Sequence, residues 1–506
     1  MVARIFHRVR SLLGFSRPSP RPHETYPIHF IDQTPILRDS IITYTFRYNC
    51  ILEPAKLHDA LTRLLKAEDW RKLSGRLRRN DDGKLAIHVY DNVRDHSLFR
   101  FSHASYDVPV REHPLGSRLP QSTGSRPSIQ EGWDTFKSFS LPPDLPADIR
   151  HYLSSDEPLL SLRVVSFTDT TLVSVTFPHA LTDAKGTVGF LQAWSAMLHE
   201  RPDQIPQVLG AKNDVAASIG SSDDDKAQGP HVLEQWRLRG LSLVVMILRL
   251  TWDLFTRRNV HIRTIYLPAA FIADLRQAAY AEYYKEDGNE TKPPFLSDGD
   301  LITAWVSHMI LSSQAKKGSP AVIHNIFDAR GRIKGPFSAP GVHLQNLILP
   351  AVAIVSAAPD GETPLSVGQI ACRIRQAILE QTTDEQARRL IRVFRESFSS
   401  TKMMPFFGTA NSTVIACTNW SKAGFREAAH FGPTAQPSDG SSGSPGACVS
   451  YAGSSLTNKY IPRDILLIYG KDDSGNYLIN GYLRDETWEL IQKVFDSYQP
   501  GASEES

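Results

Sequence analysis

The sequence predicts an α/β protein of two lobes, and three observations carry that expectation. At 506 residues the chain outgrows one core, because single hydrophobic cores stop growing near about 250–300 residues. Stretches of period-two and helical hydrophobic spacing alternate along both halves, the pattern of layered α/β units. Between the halves lies a polar, acid-rich stretch, 211–229, AKNDVAASIGSSDDDKAQG, which reads as an exposed crossover. The resulting division is a basic tail over 1–24, a first lobe over 25–210, a crossover with an apolar helix over 211–260, and a second lobe over 261–498.

Each element rests on its own pattern. IITYTFRYN (41–49) alternates and reads as a strand; LHDALTRLLKAEDWRKLSGRL (57–77) has apolar positions at helical spacing. KLAIHVYD returns to strand, and REHPLGSRLPQSTGSRPS is loop. LLSLRVVSF and TTLVSVTF form a hairpin across TDT, and Val188, Leu191, Trp194 and Leu198 then fall on one helical face. In the second half HIRTIYLP (261–268) is a strand, FIADLRQAAYAEYY and LSDGDLITAWVSHMILSS are helices, and AVIHNIFDAR is a strand. Helices follow near 366–382 and 382–397, then a Gly/Pro/Ser-rich loop at 433–447, paired strands DILLIYG and NYLINGYL, and the helix RDETWELIQKVF. The apolar run LSLVVMILRLTWDLF (241–255) is broken by Arg249 and falls short of the roughly 20 residues that span a bilayer. It is expected to be a core helix, with flanking Arg237, Arg239, Arg257 and Arg258 leaving surface association open.

Composition excludes several classes. A formal net charge of +2 with no cationic stripe gives no basis for nucleic-acid binding. Cys50, Cys372, Cys417 and Cys448 lack paired spacing, which argues against a metal site or a disulfide framework and fits a reducing, cytoplasmic setting. Residues 1–24 carry Arg4, Arg8, Arg10, Arg17 and Arg21 beside Val2, Ile5, Phe6, Val9, Leu12 and Leu13 at helical spacing. Such a basic amphipathic tail reads as disordered, as a weak membrane-surface contact or as an import signal.

The candidate chemistry lies in TFPHALTDAKG (176–186). His-x-x-x-Asp occurs four times, at His103/Asp107, His179/Asp183, His199/Asp203 and His324/Asp328, against about one expected by chance. Context separates them. His103 lies in a polar stretch, Pro202 disrupts the turn from His199 to Asp203, and His324 lies within a strand, where i and i+4 stand about 13 Å apart. Only His179 stands at the end of a strand with apolar walls behind it and a helix in front. An imidazole there can take a proton at neutral pH and return it one step later. The alternative is a histidine that merely caps the helix.

His179-Ala180-Leu181-Thr182-Asp183 resembles the H-x-x-x-D motif of BAHD-type acyl-CoA-dependent acyltransferases, specifically their fungal natural-product branch. YPIHFIDQTP, LSDGDLITAW, FDARGRI, GVHLQNL and CTNWSKAGFREAAHFG match further family segments in order, from about residue 25 to 495. The resemblance implies two chloramphenicol acetyltransferase-like lobes with the active site in a channel between them. It implies acyl-CoA, acetyl-CoA by expectation, as co-substrate, with no bound cofactor and no metal. His179 would deprotonate a hydroxyl of a terpenoid or polyketide acceptor. Asp183 would support the motif through Arg330, with Arg332 as competitor, and Thr418 and Trp420 would hold the oxyanion. Gly432 would be structural. A monomer is implied.

Two departures stand out. Ala184 replaces the glycine after the motif, and D-F-G-W-G is reduced to His430-Phe431-Gly432-Pro433. Alternative readings are a stand-alone condensation-type enzyme drawing on a carrier-protein thioester, although Pro178 replaces that family's first histidine, and a non-catalytic small-molecule-binding relative.

Overall fold

The computed structural model describes residues 24–81, 83–90, 97–220, 229–256, 259–287, 294–314, 320–356, 365–436, 444–456 and 463–500. The basic tail, apart from Glu24, lies outside them. A small sheet pairs β1 (Glu24–Pro27), β4 (Leu85–Val89) and β3 (Arg76–Arg79). The first large sheet has the order β15 (Ser450–Leu456), β2 (Ile41–Tyr48), β8 (Thr171–Pro178), β7 (Ser161–Ser166), β5 (Arg100–Ser105). The second has the order β13 (Ile348–Val355), β11 (Ala321–Asp328), β14 (Thr413–Asn419), β16 (Ile465–Lys471), β17 (Tyr477–Arg484), β10 (Val260–Leu267), β6 (Ser128–Glu131). A two-stranded ladder joins β9 (Val208–Leu209) to β12 (Val342–His343). Both large sheets mix parallel and antiparallel pairs.

Each large sheet borrows a strand from the other half of the chain. β15 pairs antiparallel with β2, and β6 pairs antiparallel with β10. The stretches 25–210 and 261–498 are therefore tied together by backbone ladders, and clefts between the sheets are walled by both.

β8 shows why the functional strand sits rigidly. All eight of its residues are buried, so both of its faces are covered and it carries no charged residue on either. Its buried hydroxyls are satisfied across the ladder: Thr176 pairs with Thr43 at 2.9 Å and Ser174 with Thr45 at 2.8 Å. These pairs pin the register with β2, because a one-residue slip would strand every hydroxyl in the core. Its neighbour β7 packs antiparallel, as the hairpin reading expected.

Three expectations are corrected. The amphipathic stretch 57–77 is not one helix: helix Pro54–Leu64 gives way to a 3-10 segment Glu68–Ser74 and then to β3. Trp70 is buried and donates its indole N–H to the Pro206 carbonyl at 3.0 Å, so tertiary contacts override the helical spacing. The described part of the crossover is packed in part rather than exposed throughout. Ala216 and Ile219 are buried, and Arg395 from the helix Asp384–Thr401 donates to the carbonyls of both. Finally, the apolar helix Gly240–Thr256 is not a core helix, since Met246 is its only buried residue. None of the described helices is long and apolar enough to cross a membrane.

Candidate active site

The chain leaves the rigid β8 at Pro178, makes one 3-10 turn over His179–Leu181, and enters the helix Ala184–Leu198. His179 is anchored by its backbone at both ends. Its N–H donates to the Ser40 carbonyl at 2.8 Å, and its carbonyl accepts from Asn346 Nδ2 at 2.8 Å. Nδ1 of the ring is buried among the backbone of His179 and Thr182 and the Asn346 side chain, without a hydrogen bond of ordinary geometry. Burial pushes the imidazole below the usual histidine value, against an opposing pull from its own backbone and from Asp183. The ring is therefore neutral at pH 7, and it lines a cavity of about 1890 Å³.

Asp183 borders the same cavity, but its oxygens are spent on the fold. It is buried and caps the helix by accepting from the Gly186 N–H at 3.0 Å. Its other oxygen accepts from the Leu347 N–H at 2.9 Å, and Arg330 NH2 lies 3.1 Å from each oxygen. The same guanidinium reaches Asp328 and the carbonyls of His343 and Gln345. Of the two competing arginines the structure pairs Arg330 with Asp183, whereas Arg332 is exposed at the cavity rim. Gly186 is needed for close approach: a Cβ there would lie 2.0 Å from Thr182 Oγ1 and 3.1 Å from the His343 carbonyl. Ala184 is the first helical residue, where its methyl group is at home.

Thr418 and Trp420 come from the end of β14, in the other large sheet, and line the same cavity as His179. Among the described residues, neither the Thr418 hydroxyl nor the Trp420 indole N–H has a protein partner, and neither is sealed from solvent. The Trp420 ring is held by Tyr44, Phe425 and Tyr469 at centroid distances of 5.2, 5.8 and 5.8 Å. Gly453 passes so close that a Cβ there would lie 2.5 Å from the ring. One cavity thus collects a neutral imidazole and two unspent donors, a set able to remove a proton and to receive negative charge on oxygen.

A family profile described as "Transferase family" matches residues 143–447. The chain belongs to this family, the BAHD-type acyltransferases. It is 46% identical over 499 residues to acetyltransferase BOT5 of Botryotinia fuckeliana, covering 94% of this chain and 91% of that protein. Acetyltransferase pyiB of Pyricularia grisea is 34% identical, with 96% of each chain covered. TRI101 of F. sporotrichioides, solved with coenzyme A and T-2, superposes with a TM-score of 0.63 at 14% identity, covering 94% of this chain and 98% of that one. At that identity the likeness speaks for the fold, which is the two-lobed α/β architecture expected from the sequence.

The acyltransferase also uses residues that the motifs did not single out. Asp32 is fully buried, and one of its oxygens accepts from both the backbone and the side chain of Asn346, each at 2.7 Å. Asn346 Nδ2 in turn holds the His179 carbonyl, so Asp32 braces the His179 turn through one intermediary. Burial raises the Asp32 carboxyl to about 7, opposed by nearby Lys72 and by the Asn346 hydrogen bonds. Both residues lie inside stretches that carry the family resemblance, YPIHFIDQTP and GVHLQNL, yet no spacing rule joins positions so far apart in sequence. The segment His430–Pro433 does not line the cavity. It packs on the first large sheet, with Phe431 against Trp194 and Tyr48 at 4.7 and 5.6 Å. Gly432 there is enclosed, since a Cβ would lie 2.9 Å from His430 and 3.2 Å from the Pro445 carbonyl.

Proposed function

We propose that this acyltransferase moves a small acyl group, acetyl, from acyl-CoA to a hydroxyl of a fungal secondary metabolite of terpenoid or polyketide type. The observation that carries the reading is the convergence of the neutral His179 ring with the unspent Thr418 and Trp420 donors on one cavity. In this reading His179 takes the proton of the acceptor hydroxyl as its oxygen attacks the thioester carbonyl. The oxyanion accepts hydrogen bonds from the Thr418 hydroxyl and the Trp420 indole N–H. Collapse of the intermediate forms the ester, breaks the carbon–sulfur bond, and returns the proton from His179 to the leaving sulfur. No acyl-enzyme is formed.

The cavity exceeds the roughly 300–1,000 Å³ of a typical single-ligand site, which suits two substrates meeting on one base. Acetyl as the transferred group is supported by the names of the two fungal relatives, and acyl-CoA with a small-molecule acceptor by the coenzyme A and T-2 bound to TRI101. The enzyme acts as a monomer in the cytoplasm, with the arginine-rich tail before Glu24 touching a membrane surface. Asp183, Arg330 and Gly432 hold the loop geometry and touch no substrate.

The test is thiol release from acetyl-CoA across a panel of hydroxylated terpenoids and polyketides, beside the same acyl group on a carrier protein. Acceptor-dependent release from CoA supports the reading. Turnover from the carrier thioester alone replaces it with condensation-type chemistry. Ligand binding without turnover from either donor replaces it with a binding protein.

A further inference from the structure

The helix Gly240–Thr256 is built inside out. Leu241, Val244, Val245, Leu248, Trp252 and Phe255 stand 41–78% exposed, and a spacing of three, one, three, four and three residues puts them on one face. Its two charged residues turn the other way. Arg249 donates to the Ser412 carbonyl, and Asp253 accepts from Arg463 at 2.6 Å and Arg484 at 3.0 Å. Ion pairs and one buried methionine thus hold the helix so that its apolar stripe faces outward. Its inner residues Ile247, Leu250 and Leu254 line the same cavity as His179.

We propose that this outer face docks the protein on an anionic lipid bilayer. A helix apolar nearly all round is either buried or in lipid, and this one is neither buried by protein nor long enough to span. Its outer face carries no charge, and basic residues flank it in sequence. Arg239, ion-paired with Glu234, precedes it with an exposed side chain, and Arg257 and Arg258 follow it. An apolar face with an aromatic near one end and basic residues at both is the pattern of an interfacial helix. A second copy of the chain is the poorer occupant. A 17-residue helix is about 25 Å long and about 10 Å wide. Two such faces bury roughly 500 Å² in total, below the ~1,000 Å² that a stable interface needs. The docked face is the outside of a cavity wall, so an apolar acceptor dissolved in the bilayer has a short path to the site; that consequence rests on the proposed acyl transfer, whereas the docking does not.

The experiment is flotation of the full chain with equimolar phosphatidylcholine–phosphatidylserine vesicles, comparing wild type with Leu248→Glu/Phe255→Glu and with Leu241→Ser/Phe255→Ser. These side chains point to solvent, so the variants should melt like wild type. The proposal expects wild type to float and the acidic variant to lose roughly tenfold or more in partition coefficient, with the serine variant between them. Flotation persists when residues 1–23 are removed. Wild type that stays with the soluble fraction overturns the proposal, as does flotation of both variants equal to that of wild type. A concentration-dependent wild-type dimer that the acidic variant abolishes, without vesicle binding, overturns it in favour of a second copy. Flotation that depends on residues 1–23 and ignores the helix substitutions overturns it in favour of the tail. None of these readings requires turnover, so a failed acyl-transfer assay leaves the result standing.

Discussion

Replacing Asp183 by asparagine tests whether the motif carboxylate is a brace or a reactant. The carboxylate is 1% exposed and accepts from the Gly186 and Leu347 N–H groups and from Arg330. Asparagine keeps the shape but turns an N–H2 group toward either the Gly186 or the Leu347 N–H, and toward the guanidinium in both cases, a donor facing a donor. It also leaves Arg330, whose side chain is 10% exposed, with Asp328 as its remaining acidic partner. Breaking a buried pair in this way costs about 3–5 kcal/mol. Urea denaturation followed by tryptophan fluorescence should show a lower midpoint at an unchanged slope. Activity should fall alongside, because Leu347 adjoins Asn346, which holds the His179 carbonyl. Replacing Asp183 and Arg330 together by leucine should recover part of the stability lost in the single variant, because both buried charges disappear. Arg332→Ala, at an exposed site, should stay within about 0.5 kcal/mol of wild type. An Asp183→Asn variant with wild-type stability and at least about a hundredfold loss in kcat would refute the bracing role and put the carboxylate in the reaction.

Further expectations follow from the same geometry. Thr418→Val and Trp420→Phe keep the packing and remove one donor each, so each should lower kcat by roughly a hundredfold with little change in KM; steady-state kinetics on the two variants decide it. For pH, His179 must be neutral to accept a proton and burial holds it below about 6.5. The rate should therefore rise with pH through an apparent pKa below that value and be flat at neutrality, and a limb centred above 7 would contradict the burial argument. His231 and His324 are pushed down to about 4 by burial. The unfolded chain then takes up protons first, so stability present above pH ~6.5 should drain away as pH falls toward about 4, seen as a falling urea midpoint that His324→Gln makes shallower. Gly432→Ala crowds His430 and the Pro445 carbonyl and should cost about 1–3 kcal/mol by thermal melting, while kcat and KM at the remote cavity stay unchanged.

Much of this was legible in local patterns, and the reasons for the exceptions are physical. The helix from Asp298 to Ser313 was readable because Ser297 and Asp300 form a capping box ahead of an apolar run. The strand before His179 was readable because Leu172, Val173, Val175 and Phe177, with β-branched Thr171 and Thr176, make a run rich in strand-forming residues. The stretch after Leu64 was misread because the indole hydrogen bond of Trp70 and the buried Arg76, spent on the carbonyls of Ser97 and Asp156, belong to contacts distant in sequence. The helix from Gly240 misled in the opposite direction. Hydrophobicity reports that a face avoids water without saying whether protein or lipid covers it. At the site, the histidine and its aspartate were visible as a motif, whereas Asp32 enters only through a turn that brings it to Asn346, and no local pattern encodes that meeting.

The most direct measurement is a single turnover of acetyl-labelled CoA with an accepted hydroxylated acceptor, comparing wild type with His179→Ala. The account predicts that wild type passes label straight to the acceptor with stoichiometric thiol release and none on the protein. The variant should bind CoA with unchanged affinity but transfer at least about a thousandfold more slowly, with the base lost. Label trapped on the protein, or equal transfer by both proteins, would contradict direct transfer with His179 as the base.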